Sequence, residues 1–302
     1  MDKNKFKLYF QVLFATIVWG GAYPFTKHTV SLISPLSLVF IRSFVGSLLL
    51  ILFVKPNFKK FLKKELVFKL LIMSILGVSL QQFSQSYALK YTTSTNAGFI
   101  IALTPIVIVL IEFILGATIS RNKILGFLFG MFGSLVVMYS VGKLNISMPS
   151  TKGDLIFLTS SFTWALYVVL TKRWFRNYSQ KEVTAMTMAL AFASLIPFEF
   201  KYSLLSELKN LDFLGWSSVF YLCFLSSFLG YLFWNNSVEG LGPVKSSYFI
   251  YDEPFATIIS AYFILGEKIL PLTFYGGVLI LIGVYFVLND NNKYRGGCNE
   301  FV

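Results

Sequence analysis

The chain has 302 residues, of which 56% are hydrophobic, 18% aromatic and only 13% charged, a composition that excludes an ordinary soluble domain. A formal charge of +12 would suit a nucleic-acid partner, but the basic residues are dealt out among separate joints and form no single patch, so no nucleic acid is expected. Two cysteines, Cys223 and Cys298, are too few for a disulfide framework or a cysteine-based metal cluster.

Apolar runs follow one another almost end to end. A helix that crosses a ~30 Å hydrocarbon core needs about 20 largely apolar residues. By that measure ten helices are predicted, at 8–30, 35–54, 66–89, 96–116, 123–141, 154–174, 182–198, 213–235, 243–265 and 271–288. The runs are continuous, unlike the short alternating segments of a membrane barrel, so the lipid bilayer is met by helices. Gly20, Gly21, Pro24, Pro105 and Pro254 fall inside these runs, where neighbouring membrane helices can re-satisfy the backbone groups that such residues free. Lys3, Lys5 and Lys7 before the first run also resemble a secretory leader, but no small-residue cleavage site follows and the run is kept as a helix.

Charge assigns the sides of the membrane. With the N-terminus inside, one set of joints holds Lys55, Lys59, Lys60, Lys63, Lys64 and Lys69, then Arg121 and Lys123, then Lys172, Arg173, Arg176 and Lys181. The alternate joints hold only Lys27, Lys90, Lys143, Lys152, Lys201, Lys209 and Lys268. Positive joints stay in the cytoplasm, so both termini are placed there and a bacterial inner membrane is the expected home. Asn145 and Asn177 open matches to the glycosylation pattern, but Asn177 falls on a basic inside joint and the matches are attributed to chance.

A repeat appears when Trp19 is laid over Trp164: TIVWGGAYPFTK, ending at Lys27, meets SFTWALYVVLTK, ending at Lys172. Later in each half, ALTPIVIVLIEFILG around Pro105 meets IYDEPFATIISAYFILG around Pro254, with a gap of one residue. Five helices per half is an odd number, so the second half enters the membrane upside down. Residues 1–145 and 146–290 are thus read as two inverted halves, and 291–302 as a cytoplasmic tail.

WGGAYPFTKHTVSLISPLSLVFIR, Trp19 to Arg42, resembles the opening of EamA-like members of the drug/metabolite transporter superfamily, and Gly153-Asp154, TSSFTWALYVVLTKR, EPFATIISAYFILGEK and GGVLILIGVY resemble it in the second half. One departure stands out: FILG is followed by Glu267 in the second half and by Ala117 in the first. The resemblance implies ten helices, alternating access and a central cavity drawn mainly from helices 1, 3, 4, 6, 8 and 9. Family substrates range over amino acids, sugars, nucleotide derivatives, polyamines and drugs.

Ionisable residues deep in a span are costly, so each should face a cavity or a partner. Arg42 lies ~10 Å into helix 2 and Asp252 ~14 Å into helix 9 from the opposite side, at 1.5 Å rise per residue. An ion pair of Arg42 with Asp252 or Glu253 is therefore within reach. Adjacent helical residues point about 100° apart, so one acid should face the cavity and the other a neighbouring helix. Three roles compete for them: proton exchange, binding of a substrate ammonium, and helix packing. Asp252 is preferred for function and Glu253 for structure, and Asp252→Asn is expected to uncouple transport from a pH gradient. Pro105 and Pro254 are expected to break helices 4 and 9, exposing carbonyls.

Rings and amides supply the softer candidates for substrate binding. They are Trp19 and Tyr23, Gln81 and Gln85, Asn96, Trp164 and Tyr167, Tyr231, Trp234 and Asn235, and Tyr248 and Tyr251. Trp and Tyr also form belts at membrane interfaces, so each ring has a bland explanation too. His28 is read as a solvated residue and Glu112 as a side chain snorkelling to the interface.

The chain is therefore expected to be a secondary transporter, monomeric or homodimeric, for a small organic metabolite such as an amino acid or related amine, aromatic ones included. A nucleoside, sugar or drug-like solute is the alternative, and a non-transport membrane protein a remote one. No Walker-type phosphate loop is present, and one peripheral His with no acidic or Cys cluster leaves no basis for an enzyme, metal or cofactor.

Overall fold

Helical segments make up every regular element in the computed structural model, which describes residues 3–117, 120–142, 150–199, 204–266 and 271–288. Helix α1 spans Lys3–Leu32, α2 Pro35–Val54, α3 Lys64–Ala88, α4 Ser94–Ile114 and α5 Arg121–Gly142. Helix α6 spans Ser150–Trp174, α7 Gln180–Glu199, α8 Phe213–Leu241, α9 residues 243–265 and α10 Pro271–Leu288. Among the described residues seven helices, α1 to α4 and α6 to α8, are long and apolar enough to cross a membrane. Of the other three, α9 is divided into three short pieces, and α5 and α10 pack chiefly on each other. Glu267, Asn145, Cys298 and the 291–302 tail lie outside the described residues.

Local chemistry sets the helix ends. Ser34 caps α2 by accepting the Ser37 N–H at 3.1 Å, with Pro35 in the first turn, where its missing N–H costs nothing. Thr93 caps α4 in the same way through the Asn96 N–H at 3.0 Å. Asp212 caps α8 through the Gly215 N–H at 2.6 Å. The turn from α8 to α9 is made at Gly242, whose φ of 87° only glycine adopts without strain, and Pro243 then starts α9.

Helix α1 packs against α8 and α9, and α6 against α3 and α4. Helix α2 lies on α7 and α8, and α3 also touches α7. Helix α8 runs antiparallel to α1, since Asp212 meets His28 at one end and Ser237 meets the Leu8 carbonyl at the other. With lipid outside, close backbone approach replaces hydrophobic burial as the packing force. A Cβ at Gly20 would overlap the Glu253 backbone, one at Gly98 the Thr257 side chain, and one at Gly77 the Tyr167 ring.

Both expected breaks are present as geometry. Helix α4 loosens at Ala102 and Leu103 and re-forms with Pro105 in the first turn of Thr104–Ile114. Helix α9 tightens into a 3₁₀ stretch at Tyr248–Asp252 and re-forms with Pro254 in the first turn of Glu253–Leu265. A proline at the start of a helix keeps its fixed φ and loses no bond, which is why each break lies just before one.

Candidate functional site

Two helices next to α1 and α6 carry widened π turns, Ile75–Ser79 in α3 and Tyr221–Gly230 in α8. Such turns shift the register of the residues after them and often mark functional sites. In α8 the widened stretch presents the Ser226 carbonyl to Trp19 Nε1, which donates to it at 3.1 Å. In α3 it presents the Gly77 carbonyl to the Tyr231 hydroxyl at 3.3 Å, and that hydroxyl in turn accepts from Gln82 Nε2 at 3.3 Å.

Between these helices lies a cavity. Its wall is Trp19, Ala22, Tyr23 and Thr26 of α1, Arg42 of α2, Gln81 and Gln85 of α3, Ile101 of α4, Trp164 of α6, Ser226 and Tyr231 of α8, and Glu253 of α9. The volume open to water-sized molecules is ≈ 30 Å³, room for one or two waters. A pocket for a drug-sized ligand has about 300 Å³ or more, so in this structure the cavity is narrower than such a ligand needs.

Two charged side chains reach this wall, and they do not pair with each other. The Tyr23 hydroxyl donates to Glu253 Oε2 at 2.6 Å, a buried bond between α1 and α9. Arg42 Nε donates to Ser227 Oγ at 3.2 Å and Nη2 to Ser226 Oγ at 3.3 Å. No carboxylate lies within ion-pair distance of Arg42 among the described residues. The expected pair with Asp252 or Glu253 is thus replaced by two hydroxyls, because the π stretch of α8 lies beside α2 and Tyr23 already holds Glu253.

The adjacent acids do part company. Glu253, 2% exposed, lines the cavity, whereas Asp252, 8% exposed, does not and makes no hydrogen bond among the described residues. The 3₁₀ stretch ends at Asp252 and the α-helix resumes at Glu253, which puts Glu253 on the face that meets α1.

Aromatic rings gather around Trp19, at the side of the cavity toward the N-terminal end of α1. Trp19 lies 5.2 Å from Trp164, 5.4 Å from Tyr231 and 5.2 Å from Trp234 between ring centroids. Trp164 stacks on Tyr167 at 5.1 Å, and the Tyr167 hydroxyl meets Thr184 Oγ1 at 3.0 Å. Trp234 and Tyr167 stand behind the wall rather than in it.

Other candidates are placed elsewhere. Asn235 Nδ2 donates to the Tyr231 carbonyl of its own helix at 2.7 Å. Asn96 meets Asp154 at 3.4 Å, beside the turn between α3 and α4. The Tyr248 hydroxyl donates to the Lys123 carbonyl at 2.9 Å, and Tyr251 packs on Gly130, both against α5. Glu112 is ion-paired with Arg173 at 3.1 Å instead of reaching alone to an interface. Ser226 and Ser227 were not singled out from the sequence, although two hydroxyls in the middle of FLSSFLG are a signal of the same kind as the glutamines.

At the far end of α1, Lys27 Nζ donates to the Leu89 carbonyl at 3.1 Å and to that of Thr92. His28 Nε2 lies 3.2 Å from Asp212 Oδ1. The Gly215 N–H, and after it His28, hold the Asp212 carboxyl below its ordinary range. No group of three or more His, Cys, Asp or Glu gathers among the described residues.

Comparison with known proteins places this architecture. The profile of the EamA-like transporter family matches residues 6–139 and again 151–289. YyaM of Bacillus subtilis, named an uncharacterized transporter, is 29% identical and covers 92% of each chain. An uncharacterized transporter of Archaeoglobus fulgidus is 30% identical over 89% of this chain and 93% of its own. A protein of Escherichia coli named a probable amino-acid metabolite efflux pump is 23% identical over 90% of this chain and 92% of its own. A crystal structure of 18% identity shares the fold, with a TM-score of 0.68 over 91% of this chain and 94% of that one. Multi-pass in architecture and matched in both halves, the chain belongs to the EamA-like transporter family.

Proposed function

We propose that this transporter is a secondary carrier that moves a small organic metabolite, an amino acid or related amine, across a bacterial inner membrane by alternating access. The observation that carries this reading is the cavity whose wall is drawn from both halves and bridged by the Tyr23–Glu253 bond. A site at the junction of two halves opens to one side or the other when the halves rock. The name of the Escherichia coli relative supports the substrate class.

The reading takes α1 to α5 and α6 to α10 as inverted halves, 1–145 and 146–290, making ten spans with both termini and the 291–302 tail in the cytoplasm. Packing supports it. Exchanging α1 with α6, α2 with α7, α3 with α8, α4 with α9 and α5 with α10 turns the α1–α9 contact into α6–α4 and α1–α8 into α6–α3. It turns α2–α8 into α7–α3 and leaves α2–α7 and α5–α10 unchanged. Separate matches of the family profile to each half support the same division.

In this orientation the Trp19, Trp164, Tyr231 and Trp234 cluster is the cytoplasmic floor of the cavity. Tyr23, Gln81 and Gln85 offer polar contacts to the solute, and Glu253 is the group placed to exchange a proton or meet an ammonium. The carrier acts as a monomer or homodimer without a cofactor. The test is counterflow in proteoliposomes: vesicles preloaded with unlabelled amino acids should accumulate labelled amino acid transiently and saturably. Uptake that rises linearly with concentration and shows no overshoot would point to a channel and sink the proposal.

A further inference from the structure

We infer that Arg42 is the anion-recognising group of the cavity, so that the transported solute carries a carboxylate; this rests on the transport reading above and narrows it. A guanidinium stays charged in any protein environment, and Arg42 is 5% exposed in the middle of α2. Its partners are two neutral hydroxyls, both on the Nε and Nη2 side. The opposite edge, Nη1 and the second Nη2 proton, has no acceptor among the described residues, and Arg42 lines the cavity.

The acids that could neutralise it are otherwise placed. Glu253 accepts from Tyr23, Glu199 accepts from Ser37 at 2.7 Å, and Asp252 is outside the cavity wall. A buried charge without a counter-charge is costly, and a bound carboxylate relieves that cost while matching the planar fork with two parallel bonds. Ser226 and Ser227 fix the rotation of the guanidinium, so the fork is oriented before the ligand arrives.

The rest of the wall is complementary to the remainder of such a solute. Glu253 contributes a carboxyl group, and Gln81 Oε1 is a buried acceptor with no partner among the described residues. Both suit an ammonium or another N–H donor, and the rings of Trp19, Trp164 and Tyr231 suit an apolar or aromatic body. A guanidinium fork and hydrogen-bond acceptors on one wall thus favour a solute with both a carboxylate and an N–H donor over a simple amine.

Matched sets of probes test this: several amino acids, the amine left when each loses its carboxyl group, and the acid left when each loses its amino group. Binding to the full chain in lipid nanodiscs is followed by unfolding temperature and by quenching of tryptophan fluorescence, to which Trp19 and Trp164 report directly. At least one set should bind as amino acid and as acid, with the amine weaker by at least about tenfold. Arg42→Gln should erase that preference, and Arg42→Lys, which keeps the charge but loses the fork, should fall between. Amines binding as well as carboxylates, no carboxylate binding in any set, or an unchanged preference in Arg42→Gln would each overturn the inference. If Arg42→Gln does not fold, the ranking on the wild-type chain decides. Counterflow separates this from the transport reading: carboxylate-selective binding with no counterflow removes transport alone, and counterflow confined to amines removes the role of Arg42 alone.

Discussion

Helices α4 and α9 break in corresponding places, each just ahead of a proline, yet the two breaks do different things. In α4 the residues before Pro105 are Leu103, which is exposed, and Thr104, which is buried with its hydroxyl unpartnered among the described residues. In α9 the corresponding residues are Asp252 and Glu253, and Glu253 reaches across to the Tyr23 hydroxyl of α1. The α9 break therefore brings a carboxyl group to the cavity wall, and the α4 break brings neither of its two residues there. The same backbone device thus carries different side chains at the two breaks, with acids before the proline of α9 and none before that of α4.

The largest expected effect comes from neutralising the acid that only α9 has. Glu253→Gln should abolish pH-gradient-driven accumulation in proteoliposomes, whereas Asp252→Asn, one residue away but off the wall, should leave more than half of it. The reverse ranking would return the functional role to Asp252. Next come the close crossings. Gly20→Leu forces α1 away from the Glu253 backbone and Gly98→Leu forces α4 away from Thr257, so each should destabilise the purified protein by about 1–3 kcal/mol in thermal unfolding. Only Gly20→Leu should also impair accumulation, because only that crossing positions the acid.

A finer contrast uses single hydroxyls. Tyr23→Phe removes a hydrogen bond to a carboxylate and should cost about 1.5 kcal/mol or more. Thr104→Val removes a buried hydroxyl with no partner among the described residues and should be neutral or slightly stabilising. Equal losses would mean that the two breaks are alike after all. The smallest effect lies away from both breaks, at Asp212. Its carboxyl is held below the ordinary range by the Gly215 N–H and His28, so its stabilisation is present above the unfolded-state carboxylate value and is lost as pH falls through the lower folded value. Asp212→Asn should flatten that acid-side fall in melting temperature and leave the transport contrast between the halves unchanged.

Much of this was legible in the residues. Apolar runs mark the helices because insertion depends on summed hydropathy, which is local along the chain, and the prolines mark the breaks because their ring constrains the chain whatever surrounds it. The TIVWGGAYPFTK and SFTWALYVVLTK alignment likewise identified Trp19 and Trp164, which meet in one ring cluster. Tyr248 and Tyr251 show where such reading stops. They are rings of the same kind on the helix that bears Glu253, but they face α5.

The sequence by itself determined that this is a chain of membrane helices with an internal repeat, a proline break in each half and very few deep charges. Only the tertiary structure decided that Glu253 rather than Asp252 meets the cavity, that Arg42 rests on Ser226 and Ser227, and that α2 joins the wall through it. The physical reason is that a helix in lipid is apolar on every side, so its pattern does not say which face meets which neighbour. That choice is made by backbone approach at Gly20, Gly77 and Gly98 and by the register of the π turns, which exist only once the helices are packed.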